Sequence, residues 1–192
     1  MKPTGRLPLA VVIAALALAL TSAWDGGQAR AAAPPTLDHT VTLTAEGGAT
    51  VRTPDWTSVR QDEALAILEQ LPDPAQKRPF YVLVVTIEAL ATPEGRPVPW
   101  EKIRDNIVAA AVKKGRTMTL EVGEAFGAAD GFEGRAMSGR AKTGEDGEVR
   151  IDVVALAGGG RLVTVSVVTD AAYDGGAAMA SAIAGTTTAG AP

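Results

Sequence analysis

The sequence predicts an α+β domain in which amphipathic helices pack on a mainly antiparallel sheet. Three observations lead to this fold class. Residues 80–90 are apolar at nearly every position, which is typical of a central strand covered on both faces. Residues 100–114 place apolar side chains at helical spacing along one face. Residues 117–169 alternate strand-like segments with glycine-containing turns, as in an antiparallel meander.

The segment before the central strand predicts two short strands and a turn. Residues 40–44 and 49–52 are rich in β-branched side chains and are separated by a glycine pair. Residues 53–56 are expected to form a turn that ends at Trp56. Residues 62–71 are ambiguous, because their apolar side chains fit helical spacing but the segment could also be a strand.

The helix predicted over residues 100–114 supplies a cover for the sheet. Trp100, Ile103 and Ile107 share one face of this helix, so we expect them in the core. Glu101 lies on the opposite face, where we expect solvent.

Four strands and a short final helix are expected after this helix. Gly158, Gly159 and Gly160 predict a tight hairpin between the last two strands. The final helix is predicted over residues 177–184. The four predicted strands occupy residues 117–122, 133–142, 149–157 and 162–169.

Residues 1–23 are predicted to be a signal peptide. Lys2 and Arg6 precede a predominantly apolar stretch of 14 residues, which suits a signal sequence and is too short to span a membrane. Cleavage is expected after Ala23 or Ala31, and an uncleaved membrane anchor is the alternative. We therefore expect an exported protein, periplasmic or extracellular, with no stable membrane span after cleavage.

The rest of the chain divides into three parts. Residues 24–38 are rich in Gly, Ala and Pro and predict a flexible leader. Residues 39–184 form the predicted single α+β domain. Residues 185–192 resemble the leader in composition, so we expect a disordered tail.

Composition excludes several classes of function. The 192 residues include no cysteine and one histidine, which removes thiolate chemistry and most histidine-based metal sites and triads. No cofactor or metal is therefore expected. The formal net charge is −4, and it becomes −6 without Lys2 and Arg6, since 16 basic and 22 acidic residues remain. Binding to nucleic acid is not expected, because most of its affinity comes from basic side chains.

Several short motifs occur in an order that points to a known family. A Pro-x-Trp turn stands at residues 54–56, and the central strand and helix follow at residues 80–90 and 100–114. The sequence GFEGR at residues 131–135 then leads into a long hairpin, and a meander follows at residues 149–169. This arrangement resembles the PsbP-like superfamily, which includes DcrB-type bacterial exported proteins.

The resemblance extends over about residues 40–184 and implies a binding or accessory domain rather than an enzyme. Members of this superfamily dock on partners such as photosystem subunits, a small GTPase or secreted effectors, and they share no catalytic site. The resemblance carries over no functional residue. We therefore expect an exported, non-enzymatic accessory domain that acts through contact with an unidentified protein partner in the cell envelope.

Two aromatic residues are the candidate partner contacts. A large ring in a loop is a common anchor of a protein interface. Trp56 lies in a predicted turn, and Phe132 lies in a glycine-containing segment. For each ring, packing in the core is the alternative.

A hydrolase is the alternative function. Glu124, Asp130 and Glu133 lie close together in the sequence, and paired carboxylates carry out glycosidase chemistry. Only eight aromatic residues occur in the chain, which leaves few for a sugar-binding cleft. His39 stands at the edge of the leader and Ser138 lies outside a nucleophile motif, so no catalytic residue is predicted.

Overall fold

In the computed structural model of the chain, seven strands form one antiparallel sheet around the predicted central strand. The structure describes residues 36–70, 81–92, 96–143 and 147–190. The predicted signal peptide and residues 24–35 of the predicted leader lie outside these residues. The strands of the large sheet are β3 (Thr57–Gln61), β4 (Leu65–Gln70), β5 (Tyr81–Ala89), β6 (Arg116–Gly127), β7 (Glu133–Thr143), β8 (Glu148–Gly158) and β9 (Arg161–Asp170).

The strand order in the large sheet is β3-β4-β5-β9-β8-β7-β6, and every neighbouring pair is antiparallel. A second sheet contains β1 (His39–Leu43), β2 (Ala49–Thr53) and β10 (Thr188–Ala189), in the order β1-β2-β10. The described residues form two helices, α1 (Trp100–Val112) and α2 (Gly176–Ala184). Neither of these helices, within the described part of the chain, is long and apolar enough to cross a bilayer.

The central strand β5 is buried on both faces, as the sequence predicts. Seven consecutive residues from Tyr81 to Ile87 are buried in β5. Because side chains alternate along a strand, one set of these residues faces each side of the sheet. Val82 and Val84 belong to the apolar cluster that contains α1, and Leu83 and Val85 belong to the cluster on the other side.

The two helices lie on opposite faces of the large sheet. Ile103, Ile107 and Ala111 of α1 are buried against one face. The other face is covered by α2 and by the small sheet, whose Val41 and Val51 belong to the second cluster. This arrangement confirms the predicted α+β fold. Trp100 packs against the first cluster but is only partly buried, so it caps the core rather than filling it.

The ambiguous segment at residues 62–71 contains strand β4. Four consecutive residues, Leu65 to Leu68, are buried in it. Leu65 and Ile67 face α1, whereas Ala66 and Leu68 face the small sheet. A strand that buries both faces loses its alternation of polar and apolar residues, which explains why its sequence also fits helical spacing.

The predicted hairpin between the last two long strands is present. Gly158 pairs with Arg161, so Gly159 and Gly160 form a two-residue turn. Their φ angles of 57° and 74° lie in the left-handed region that a hairpin turn of this kind requires.

The tail predicted to be disordered contains the short strand β10. Thr188 and Ala189 pair with Thr50 and Ala49 of β2, and Gly190 donates a backbone hydrogen bond of 3.1 Å to the Gly48 carbonyl. These partners lie far away in the sequence, so the composition of the tail does not predict the pairing.

Strand β3 is likewise not predicted by the sequence, because its five residues are all exposed and show no alternation of polar and apolar side chains.

Truncating Ile107 tests the packing of α1. Ile107 is 5% exposed, so Ile107→Ala should lower the free energy of unfolding by about 2–5 kcal/mol. Glu101→Ala, on the exposed face of the same helix, should change it by no more than about 0.5 kcal/mol. Urea unfolding of both variants measures the difference, and equal losses would mean that α1 does not pack through this face.

Candidate partner-contact surface

Trp56 lies in the loop between β2 and β3, where its ring is half-buried. The ring stacks on Tyr81, with 5.7 Å between ring centroids and 9° between ring planes. Tyr81 in turn makes an edge-on contact with Tyr173, at 5.0 Å and 60°. Tyr81 and Tyr173 are each 4% exposed. The three rings, which we call the aromatic ladder, therefore extend from the core to the surface and end at Trp56.

The middle ring of the ladder remains uncharged. Burial, with a smaller contribution from Tyr173, raises the pKa of the Tyr81 phenol far above its usual range. Tyr81 is therefore a neutral phenol under physiological conditions. It offers Trp56 an apolar surface on which to stack, so the position of the indole ring is set by packing.

Tyr173 lies in the segment that connects β9 to α2. Its ring lies so close to Gly175 that an added Cβ there would be 2.2 Å from the Tyr173 hydroxyl oxygen. The next residue, Gly176, is in a similar position, since its Cβ would be 2.3 Å from Oδ2 of Asp152. Two consecutive glycines therefore give room to the tyrosine ring and to a buried carboxylate.

Asp152 is the centre of a buried polar network. This residue of β8 is 1% exposed. It accepts hydrogen bonds from the Ser138 hydroxyl at 2.6 Å and from Nε of Arg150 at 2.9 Å. The hydrogen bond from Arg150 to Asp152 raises the pKa of the Arg150 guanidinium. Asp152 also lies beside the first residue of α2, where the helix dipole favours a negative charge.

The same network reaches the segment that carries Tyr173. Arg150 donates a longer hydrogen bond, of 3.4 Å, to the exposed carboxylate of Asp174. Asp152 thus connects β7, β8 and the start of α2, and Arg150 connects them to the residue next to Tyr173. The polar network therefore adjoins the base of the aromatic ladder, whose other end is Trp56.

Phe132, the second candidate contact, is not on the surface. It is 4% exposed and belongs to the apolar cluster beneath the small sheet. Its ring lies over Gly158, where an added Cβ would be 2.8 Å from Cδ1 of the ring. The prediction that Phe132 is a partner contact is therefore corrected. The glycine-containing segment turns the ring inward because the small residue in β8 leaves space for it.

The three carboxylates of the alternative hydrolase are all exposed. Glu124 lies where the pairing of β6 with β7 shifts register. Asp130 accepts a hydrogen bond of 3.1 Å from the backbone N–H of Ala189. This bond gives Asp130 a structural role, because it ties the turn before β7 to β10. Within the described ranges, no three His, Cys, Asp or Glu side chains are close enough to bind a metal ion together.

The structure also describes the two remaining polar candidates, His39 and Ser138. His39 is exposed at the first residue of β1. Ser138 lies in β7 and donates its hydroxyl proton to Asp152 rather than to an imidazole. Neither residue forms part of a nucleophile and base pair in the described part of the chain.

Sequence reasoning missed Tyr81, Tyr173, Arg150 and Asp152. Two local signals point to them. Asp152 stands two residues after Arg150 and directly before an apolar run in the same strand, which indicates a buried ion pair. The pair Gly175-Gly176, between a tyrosine and the final helix, indicates a close approach of other groups to the backbone.

The fold has a counterpart among solved structures. The solution structure of cyanobacterial PsbP (CyanoP) from Synechocystis is similar to this chain, with a TM-score of 0.56 and 14% sequence identity. The similarity covers 85% of this chain and 99% of the CyanoP chain. The chain therefore has a PsbP-like α+β fold.

Other comparisons are weaker. A crystal structure from Bacteroides thetaiotaomicron matches with a TM-score of 0.46 and 9% identity, over 73% of this chain and 44% of that one. A Pseudomonas aeruginosa protein of unknown function matches with a TM-score of 0.40 and 12% identity, over 70% of this chain and 85% of that one. No protein-family model and no curated protein matches the sequence.

Replacing Asp152 tests the buried network. Asp152→Asn keeps the shape of the side chain but removes the buried charged partner of the Arg150 guanidinium. We expect a loss of about 1–3 kcal/mol in the free energy of unfolding. Glu148→Gln is the matched control, because it breaks the exposed Arg140–Glu148 ion pair of 2.7 Å on the same two strands. The control should lose no more than about 1 kcal/mol in chemical denaturation. Equal losses would show that Asp152 is not the centre of the network.

Proposed function

We propose that this chain is an exported, non-enzymatic accessory protein that binds a protein partner through Trp56. The observation that carries the proposal is the aromatic ladder, in which a half-buried tryptophan stacks on a buried tyrosine. Tryptophan is enriched among the residues that contribute most to protein interfaces. Its position at the surface end of the ladder makes Trp56 the natural anchor for a partner.

The rigidity of the ladder favours binding. A side chain that is fixed before the partner arrives loses little conformational entropy on association. Trp56 is fixed by Tyr81, and Tyr81 by Tyr173. The Asp152 network extends this support to β7 and β8. The surface therefore has the character of a preorganised contact rather than of an exposed ring that moves freely.

The family resemblance supports an accessory role. The chain shares its fold with a PsbP protein, and the motifs at residues 54–56 and 131–135 resemble those of the PsbP-like superfamily. We place it beside the DcrB-type exported members of that superfamily. The signal-like sequence at residues 1–23 supports export, to the periplasm or to the extracellular space.

Photo-cross-linking tests the proposed contact. Benzoylphenylalanine at position 56 should form a defined adduct with one protein of the native cell envelope, because the ring of residue 56 would lie in the interface. The same amino acid at position 101, on the exposed side of α1, is the matched control and should form none. A gel of the two samples after irradiation gives the result.

Competition makes this test specific to the indole ring. Unlabelled wild-type protein should suppress the adduct, and Trp56→Phe, which keeps an aromatic ring, should suppress it in part. Trp56→Ala should require at least about tenfold more protein, since an interface anchor contributes about 2 kcal/mol or more. Equal adducts at positions 56 and 101, or equal competition by Trp56→Ala and wild type, would refute the proposed function.

A further inference from the structure

Strand β3 forms one edge of the large sheet and begins immediately after Trp56. Among the described strands, only β4 pairs with it. All five of its residues are exposed, which distinguishes β3 from the buried strands β4 and β5 beside it. The outer backbone N–H and C=O groups of β3 therefore face solvent, as in a sheet edge that can accept another strand.

Trp56 stands at the start of this edge. The next residue, Thr57, pairs with Glu69 of β4, and Tyr81 of β5 pairs with Gln70. The indole ring therefore lies on the same side of the sheet as Tyr81, at the end of β3 where the edge begins. An added strand would thus meet main-chain partners in β3 and an aromatic surface at one end.

A β-bulge places a second apolar side chain on the edge. The register shifts between Ser58 and Arg60, so Val59 has no register partner in β4. Val59 is 38% exposed, and it is one of only two large apolar side chains exposed in the described part of the chain. Trp56 and Val59 are therefore close along the edge, and both expose apolar surface to whatever binds there.

The side chains of β3 do not select a partner by its charge. Arg60 is already paired with Asp62 at 2.9 Å, and the other side chains of β3 are uncharged. Main-chain hydrogen bonding and apolar contact therefore dominate the chemistry of this edge.

We propose that the partner binds as an extended polypeptide segment that adds to β3 as an outer strand, with an apolar side chain against Trp56. This inference rests on the proposed function and specifies how the partner docks. An extended backbone is the ligand that matches a row of outward N–H and C=O groups, and side chains at alternate positions give specificity. The five residues of β3 set the length of the paired segment to about five residues.

The probe is a set of linear peptides selected from a random displayed library for binding to the complete protein. Selection is followed by hydrogen exchange of the protein with and without the selected peptide. Amides of β3 should exchange at least about tenfold more slowly when the peptide is bound, whereas amides of α1 should not change. Protection of another segment, or a library that yields no binder dependent on Trp56, would overturn the proposal.

Two substitutions at the bulge separate backbone pairing from loss of fold. Val59→Pro removes the backbone N–H at the bulge, and Val59→Lys leaves the backbone unchanged but adds a charge to the exposed side of β3. Both should weaken peptide binding at least about tenfold, while Val59→Ala should weaken it less than about threefold. Circular dichroism checks that each variant is folded. Unchanged binding by folded Val59→Lys would overturn strand addition.

The outcomes also distinguish this inference from the proposed function. An envelope adduct at position 56 that persists in Val59→Lys would leave the Trp56 contact standing and would refute docking along β3. Absence of the adduct in the wild-type background would refute both. A dimer that forms at high protein concentration and is abolished by Val59→Lys would identify a second copy as the occupant, which also overturns the proposal.

Discussion

The structure depends on one constraint, which is that the middle of the large sheet is buried and largely apolar on both faces. Residues 151–157 of β8 and 162–169 of β9 are buried without interruption. A sheet of this kind is unstable unless both of its faces are removed from water. One face is covered by α1, and the other requires both α2 and the small sheet. The strands β1, β2 and β10 are thereby brought together from the two ends of the described chain.

The candidate site results from the way in which α2 and the small sheet pack on the large sheet. Most of the interface between the second layer and the sheet is apolar, but Asp152 introduces a buried charge into it. Because a buried carboxylate is costly unless it is paired, Asp152 accepts hydrogen bonds from Ser138 and Arg150, and Arg150 in turn contacts Asp174 in the segment before α2. Tyr173 lies in that segment and contacts Tyr81, on which Trp56 stacks.

The predictable part of the fold is the part controlled by local patterns. The continuous apolar run at residues 80–90 predicts the central strand, and the helical spacing at residues 100–114 predicts α1 and its buried face. The glycine turn at residues 158–160 predicts the last hairpin. In each of these cases the residues that determine the structure lie next to one another in the sequence.

The parts that could not be predicted depend on distant contacts. Strand β10 exists because β2 offers it an edge more than 130 residues away in the chain, as the register of Thr188 with Thr50 shows. Likewise, Phe132 is buried because Gly158 leaves space for its ring. Trp56 could be identified as a loop aromatic from the sequence alone, but the ladder behind it joins three separate parts of the chain.

Backbone hydrogen exchange of the complete protein tests most directly whether the doubly covered sheet is the basis of stability. Amides of β5, β8 and β9 should be the slowest to exchange and should form a single class, because they open only when both covering layers are lost. Amides of β3 and β10 should exchange much faster. If the amides of β5 exchanged as fast as those of β3, the central strands would not be covered on both faces, and the arrangement described for this protein would be contradicted.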